Sequence, residues 1–296
     1  MKLTHLFALS SLLLPVFAAP EPPPTEVIEE RNEYDDNKYF HEPGGSDQLS
    51  HYDIRHFNGE EVTYDERVDT LQHLVRSYLS VFREKNIETW IAHGTLLGWW
   101  WNGKIMPWDW DLDVQVSAST LTWLGENLNM TTHNYTSVKE DGTSETREYL
   151  LDINPNIVER IRGDGQNVID ARWIDVHNGL FIDITGLAET NPSTQPGIWS
   201  CKNFHRYRTR DLYPLRETVF ENVPALVPYS FDRILTEEYS ARALTKTMHE
   251  GHRWMPEQKE WIKLEQQQLD RRAHVPRSIQ GEENPKSGLR NLLRVL

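Results

Sequence analysis

The chain has 296 residues and a formal net charge of −14, with 31 Lys and Arg against 45 Asp and Glu. That length holds one large domain or two small ones, and that charge argues against unaided nucleic-acid binding, which needs clustered cations. The single cysteine excludes an intrachain disulfide framework and zinc sites built on several cysteines.

The chain opens with Met1-Lys2-Leu3 and an apolar stretch over 6–19 that ends Val16-Phe17-Ala18-Ala19-Pro20. A basic start, a short apolar core and small residues at the exit predict a signal peptide at 1–19. A transmembrane helix needs about 20 apolar residues, so a signal anchor is the second reading. The sequons Asn129-Met130-Thr131 and Asn134-Tyr135-Thr136 fit a secretory route and mark Asn129 and Asn134 as candidate glycosylation sites. In an oxidising lumen Cys201 is either a buried thiol or half of an intermolecular disulfide.

Residues 20–50 are Pro-rich and acidic, with nine acids against Arg31 and Lys38, and predict an extended spacer. One folded domain is expected over 51–273, with a tail at 274–296 that carries no clear pattern. Thr63-Tyr64-Asp65-Glu66 has the form of a capping box, and Val68, Leu71, Val75, Tyr78, Leu79 and Phe82 follow at helical spacing. Trp90-Ile91-Ala92 predicts a short strand. A helix follows from Thr95 through Trp101, stopping at Asn102-Gly103. The alternation over 108–116 predicts a strand. A helix is expected over 121–128 and strands over 149–153, 168–176 and 180–184, the last two meeting at His177-Asn178-Gly179, a hairpin signal. Helices are expected over 230–239 and 256–273, the second with Pro256 in its first turn. The fold class is therefore α+β, a small mixed sheet with flanking helices and a helical C-terminal part.

Within Trp108-Asp109-Trp110-Asp111-Leu112-Asp113-Val114, strand periodicity turns Asp109, Asp111 and Asp113 one way and the apolar residues the other. Asp is depleted in strands, and neighbouring same-face carboxylates repel. A cation between them resolves the conflict, and hard oxygen ligands suit Mg²⁺ or Mn²⁺; the plain alternative is a solvated acidic edge. An EF-hand loop is excluded, because Val114 and Thr120 stand where Gly and Glu are needed. Asp183, isolated between Ile182 and Ile184, is the best candidate for a third ligand, since a buried unpaired carboxylate is costly. Asp175 is expected to pair with Arg172 or Arg162. Upstream, His93-Gly94-Thr95-Leu96-Leu97-Gly98 sets a turn and a hydroxyl at a helix N-terminus, where free N–H groups bind phosphate; an ordinary capped helix is the alternative. Lys104 either meets a phosphate or is solvated.

Together these segments, with Met106-Pro107 before the acidic run and Gly179-Leu180-Phe181-Ile182-Asp183-Ile184, resemble the LicD/fukutin family of nucleotidyltransferase-fold phosphotransferases. Asp211-Leu212-Tyr213-Pro214-Leu215-Arg216 and Val227-Pro228 extend the resemblance, which covers residues 38–262. The Trp-rich wording Gly98-Trp99-Trp100-Trp101-Asn102-Gly103-Lys104 looks like the fungal branch, which includes proteins for mannosylphosphate transfer to glycans. The resemblance implies a nucleotidyltransferase-like fold and a metal held by Asp111, Asp113 and Asp183. It implies a nucleotide-diphospho donor, GDP-mannose foremost, and a glycan or glycoprotein acceptor whose hydroxyl attacks phosphorus, with Asp183 able to take its proton. His93, Gly94, Thr95, Lys104 and Asp109 fall in the implied substrate-binding set. Arg172, Arg210 and Arg216 are candidates for phosphate contacts or for structural pairing. The tryptophan cluster reads as core packing, with Trp101 or Trp108 as candidates for stacking on a base or sugar. A Golgi lumenal setting and a partner transferase go with this resemblance. It departs at Trp110, where many relatives have Asp, and at Tyr239-Ser240, where many have Tyr-Gly. A CDP-choline or CDP-polyol donor, a nucleotide-sugar glycosyltransferase and a non-catalytic accessory subunit are the competing readings.

Overall fold

The computed structural model describes residues 37–138 and 141–264. The expected signal peptide and the C-terminal tail lie outside them.

The first long element is helix α1, Tyr64–Glu84, and the Thr63 side chain caps it by accepting the Glu66 N–H. Its buried stripe includes Leu71, Val75, Tyr78, Leu79 and Phe82, residues whose spacing predicted it, together with Leu74. Strand β1 (Trp90–Ile91) leads into α2 (His93–Asn102), then β2 (Leu112–Ser117) and α3 (Ala118–Asn127). Helix α2 stops at Gly103, which takes the left-handed conformation at φ 75°. Within it, a side chain at Gly98 would meet the Lys104 carbonyl at 2.5 Å, so the chain after α2 folds back only over a glycine.

Four strands complete the main run: β3 (Thr131–Val138), β4 (Ser144–Ile153), β5 (Ala171–Asp175) and β6 (Phe181–Glu189). Their order across the sheet is β1-β2-β6-β5-β4-β3, and β7 (Ile198–Ser200) and β8 (Arg206–Arg208) extend it from β6. The β2–β6 pair is parallel and its neighbours antiparallel, so the sheet is mixed. The short helix α4 (Thr209–Leu212) precedes a hairpin of β9 (Arg216–Phe220) and β10 (Val223–Val227). Helix α5 (Phe231–Ala243) and a meander of β11 (Met248–His249), β12 (His252–Met255) and β13 (Glu260–Lys263) end the described chain. The class is α+β, as expected. Among the described residues no helix is long and apolar enough to cross a membrane.

The two faces of the sheet differ in chemistry. On one, Leu112, Val114, Ile182, Trp173 and Leu151 join the α1 residues in the core; Trp173 stacks on Tyr149 and donates to Ser77 Oγ at 3.0 Å. On the other, register pairs Asp113 with Asp183, Asp183 with Arg172, and Arg172 with Asp152. Partners in register share a face, so a row of charge crosses four strands.

Three expectations need correction. The alternation over 108–116 becomes strand only from Leu112; Pro107 cannot donate to a ladder, and the Asp109 N–H closes a turn on the Met106 carbonyl at 3.0 Å. Asp109 and Asp111 thus sit on the loop that enters β2. The helix expected from Pro256 is, as far as Leu264, a turn and strand β13. Lys259 takes φ 52°, and Trp254 pairs with Trp261 across the strands, an aromatic pair that a helix would separate; residues 265–273 lie outside the described chain. The end of the expected spacer is packed. Phe40 is buried, Tyr39 donates to Asp152 at 2.8 Å, and Glu42 accepts from Arg172 at 2.6 Å. Charged residues in that segment are there to meet buried charge, a role that composition hides.

Candidate functional site

The polar face of β2 and β6 meets the start of α2. Ala92 donates its N–H to the Asp113 carbonyl at 3.1 Å, and the Thr95 hydroxyl accepts the Asp113 N–H at 2.8 Å. These two bonds lock β2 to the first turn of α2, where helical N–H groups lack partners within the helix. An added Cβ on Gly94 would stand 3.8 Å from Asp109 Oδ2 and 4.0 Å from the Tyr239 hydroxyl. The first turn of α2 therefore faces Asp109 closely, with the Tyr239 hydroxyl of α5 alongside.

The carboxylates crowd one another. Burial, then Asp111 and Asp113, push Asp109 up to about 8. Burial raises Asp113 to about 7, His93 opposes that rise, and Asp111 and Asp183 add to it. Asp183 is raised by burial against the pull of Arg172, whose Nε donates to its Oδ1 at 2.9 Å. The Tyr239 phenol is raised by burial and by Glu238, Asp113, Asp109 and Asp111. A set of hard oxygens that hold protons this firmly is one that a small divalent cation relieves.

Residues that sequence patterns did not single out hold this site. Arg67 of α1 donates to the Pro107 carbonyl at 3.0 Å and lies 4.3 Å over the Trp110 ring, so it props the loop that carries Asp109 and Asp111. Helix α5 brings Glu238, whose Oε2 meets His93 Nδ1 at 3.0 Å while its Oε1 accepts from the Tyr207 hydroxyl at 2.7 Å. Gln115 of β2 completes the chain. Its Oε1 accepts from Trp90 Nε1 at 3.0 Å, and its amide nitrogen faces His93 Nε2 at 3.2 Å and the Tyr207 hydroxyl at 3.3 Å. No local motif betrays such contacts, because they join residues more than twenty positions apart.

Asp111, Asp113, Asp183, Asp109, Gly94 and Thr95 come together as the motif spacing suggested. The other candidates go elsewhere. His93 is tied to Glu238 and Gln115. Lys104 pairs with Glu260 of β13. Arg172 is buried between Asp183 and Glu42, with the Phe181 ring 3.6 Å from its guanidinium. Arg216 lies 4.2 Å from the Tyr229 ring centre, and Arg210 is exposed on α4. Asp175 accepts the His177 N–H at 2.8 Å, while the arginine expected as its partner, Arg172, serves Asp183, and Arg162 pairs with Asn203. Asn129 and Asn134 are exposed, and the Cys201 thiol is free and buried. The tryptophans pack in two directions: Trp90 joins the core, while Trp101 and Trp108 meet Trp261 of the meander at 4.8 and 5.0 Å.

Residues 86–230 match the family described as LicD/FKTN/FKRP, nucleotidyltransferase domain. The chain carries a LicD-family domain. Two proteins of Saccharomyces cerevisiae are similar to it. Mannosyltransferase regulator 4 is 37% identical over 160 residues, 52% of this chain and 13% of that protein. Mannosyltransferase regulator 14 is 30% identical over 189 residues, 62% of this chain and 18% of that protein. The chain thus spans less than a fifth of the length of these relatives. The LicD match contains the α2 start, the acidic loop and Asp183. Arg67, Glu238, Tyr239 and the meander tryptophans lie outside it yet touch its motif residues.

Proposed function

We propose that the LicD-family domain is a metal-dependent phosphotransferase that moves a phosphosugar from a nucleotide-diphospho donor, GDP-mannose foremost, onto a glycan hydroxyl. The observation that carries this reading is the in-register pair Asp113–Asp183, set beside Asp111 and the open first turn of α2. Asp111, Asp113 and Asp183 suit Mg²⁺ or Mn²⁺: they are hard oxygen donors, and in Asp113 and Asp183 burial and neighbouring carboxylates favour the proton until a cation replaces it. Such an ion supplies neutralisation of charge on the transferred phosphoryl group and the leaving phosphate.

The remaining work falls to the chain. Unpaired N–H groups of the first α2 turn bind the donor phosphates. Thr95, bonded to the Asp113 N–H, holds that carboxylate at the height of the turn. Arg172 occupies one oxygen of Asp183 and leaves the other to hold the ion or take the acceptor's proton. The acceptor oxygen bonds to phosphorus, the bond to the leaving nucleoside monophosphate breaks, and catalysis is mostly positioning. A Golgi lumenal setting goes with this reading, supported by the N-terminal apolar stretch and the two exposed sequons.

The test is release of GMP from GDP-mannose with Mn²⁺ and a mannan oligosaccharide, together with an acid-labile phosphodiester in the product. A plain glycosidic product, or no nucleoside monophosphate from any donor and acceptor pair, sinks the reading. The second outcome would favour an accessory role beside a partner transferase, the reading that the names of the two yeast relatives support.

A further inference from the structure

A cleft of about 400 Å³ opens beside the α2 start, between α5 and β8. Its size falls in the range of small-molecule sites, about 300–1,000 Å³. His93, His205 and Glu238 each bring a ligand atom within 4.8 Å of the others there, so a metal is the first occupant to consider. The hydrogen bonds rule against it. Trp90 Nε1 can only donate, which fixes Gln115 Oε1 as its acceptor and turns the Gln115 N–H towards His93 Nε2. His93 Nε2 must accept, so the proton is on Nδ1 and is donated to Glu238. A histidine bound to metal through Nδ1 keeps its proton on Nε2 and donates it outward; here that proton would face another donor.

What the cleft offers instead is a mixture of short polar arms and ring faces. Arg206 and Glu237 are exposed at its edge, and Arg233 holds one Glu237 oxygen at 2.8 Å. His205, Tyr207 and Tyr239 supply rings to its lining. With Glu237 and Glu238 against Arg206, its formal charge is negative, which disfavours a second phosphate. Ile234 is its one aliphatic wall. Ring faces edged by carboxylate and guanidinium suit a neutral polyhydroxylated ring. The Tyr239 hydroxyl reaches the α2 turn, so a ring in the cleft adjoins the carboxylate site.

We propose that this cleft binds one neutral hexose unit and presents it to the carboxylate site. Its place in a reaction rests on the phosphotransferase reading; the binding itself does not. The test is saturation-transfer NMR on the whole protein with methyl α-D-mannopyranoside, and with guanosine as the competing chemistry. The sugar should give signal without added metal, and Glu237→Gln and Arg206→Ala should each lower its affinity about tenfold, the worth of one hydrogen bond to a charged group. Both positions are exposed, so melting temperature should stay unchanged. GDP-mannose with Mn²⁺, but not GDP with Mn²⁺, should displace the sugar if the hexose is the donor's; no displacement assigns it to the acceptor. Signal from guanosine alone, no sugar signal, or sugar binding unchanged in both variants overturns the proposal. Asp111→Asn should leave sugar binding intact, so lost transfer with retained sugar binding leaves the cleft standing, and a failure to find any transfer counts against the phosphotransferase reading alone.

Discussion

Two groups of carboxylates lie in and beside this sheet, and their surroundings are opposite. Asp170 is met by Arg160 at 2.8 Å and Lys202 at 3.0 Å, and Arg55 bridges Asp53 at 2.8 Å and Asp152 at 2.7 Å. Each of those acids has its counter-charge in the chain. Asp109 and Asp113, packed against the start of α2, face neighbouring carboxylates and are pushed up to about 8 and about 7. The first group is compensated and therefore structural. The second is uncompensated, a cost that folding alone gives no reason to keep. Acidity is common to both; what separates them is how far the chain supplies the cation, and Asp183, with Arg172 on one oxygen, is where the second group borders the first.

The largest effects should come from breaking each group at its centre. Asp111→Asn or Asp113→Asn should lower GMP release by about 10³-fold or more, since each removes charge aimed at the transferred group, while circular dichroism stays that of the wild type. Wild-type turnover in both variants would remove the metal reading. Asp170→Asn should do the reverse. It strands Arg160 and Lys202 in a buried place and should cost about 3–5 kcal/mol of stability by denaturant melts. An unchanged midpoint would show that the two groups do not differ as argued.

Sequence patterns carry one side of this comparison better than the other. The α1 stripe, the Gly103 stop and the Asp111-x-Asp113 spacing are local, and each reflects geometry within a few residues. Pairing of Asp113 with Asp183 was reachable too, because an Asp between isoleucines needs a reason. The compensated group was out of reach. Glu42 in an acidic segment gives no sign that it meets Arg172, 130 positions away. Of the two roles open to Arg172, phosphate contact or structural pairing, the fold takes pairing, with Glu42 and Asp183; Lys104, open to phosphate or solvent, pairs with Glu260. The alternation over 108–116 misled at its start because Pro107 and the Asp109 turn override a pattern that is strand-like on paper.

A smaller effect measures the missing charge directly. Mn²⁺ at a hundred times its dissociation constant should stabilise the protein by about 2.7 kcal/mol through binding the folded state alone. Thermal melts with and without EDTA read this out, and the gain should vanish in Asp113→Asn. A gain that survives that substitution would place the ion elsewhere.

The smallest effect is the sharpest, because its sign runs against ordinary expectation. Removing a buried, paired acid destabilises, as for Asp170. Asp109 is half-buried among like charges, with Arg67 opposing them, so its ionised form raises the energy of the folded state and is solvated freely in the unfolded one. Asp109→Asn keeps the shape and removes the repulsion. In EDTA it should therefore stabilise by about 1 kcal/mol, or about 2–4 °C in a domain of this size. Saturating Mn²⁺ should shrink or reverse that gain, because the wild-type cluster then has its counter-charge and the variant has given up part of the attraction. A variant less stable than wild type in EDTA would mean that Asp109 is compensated after all and belongs with Asp170.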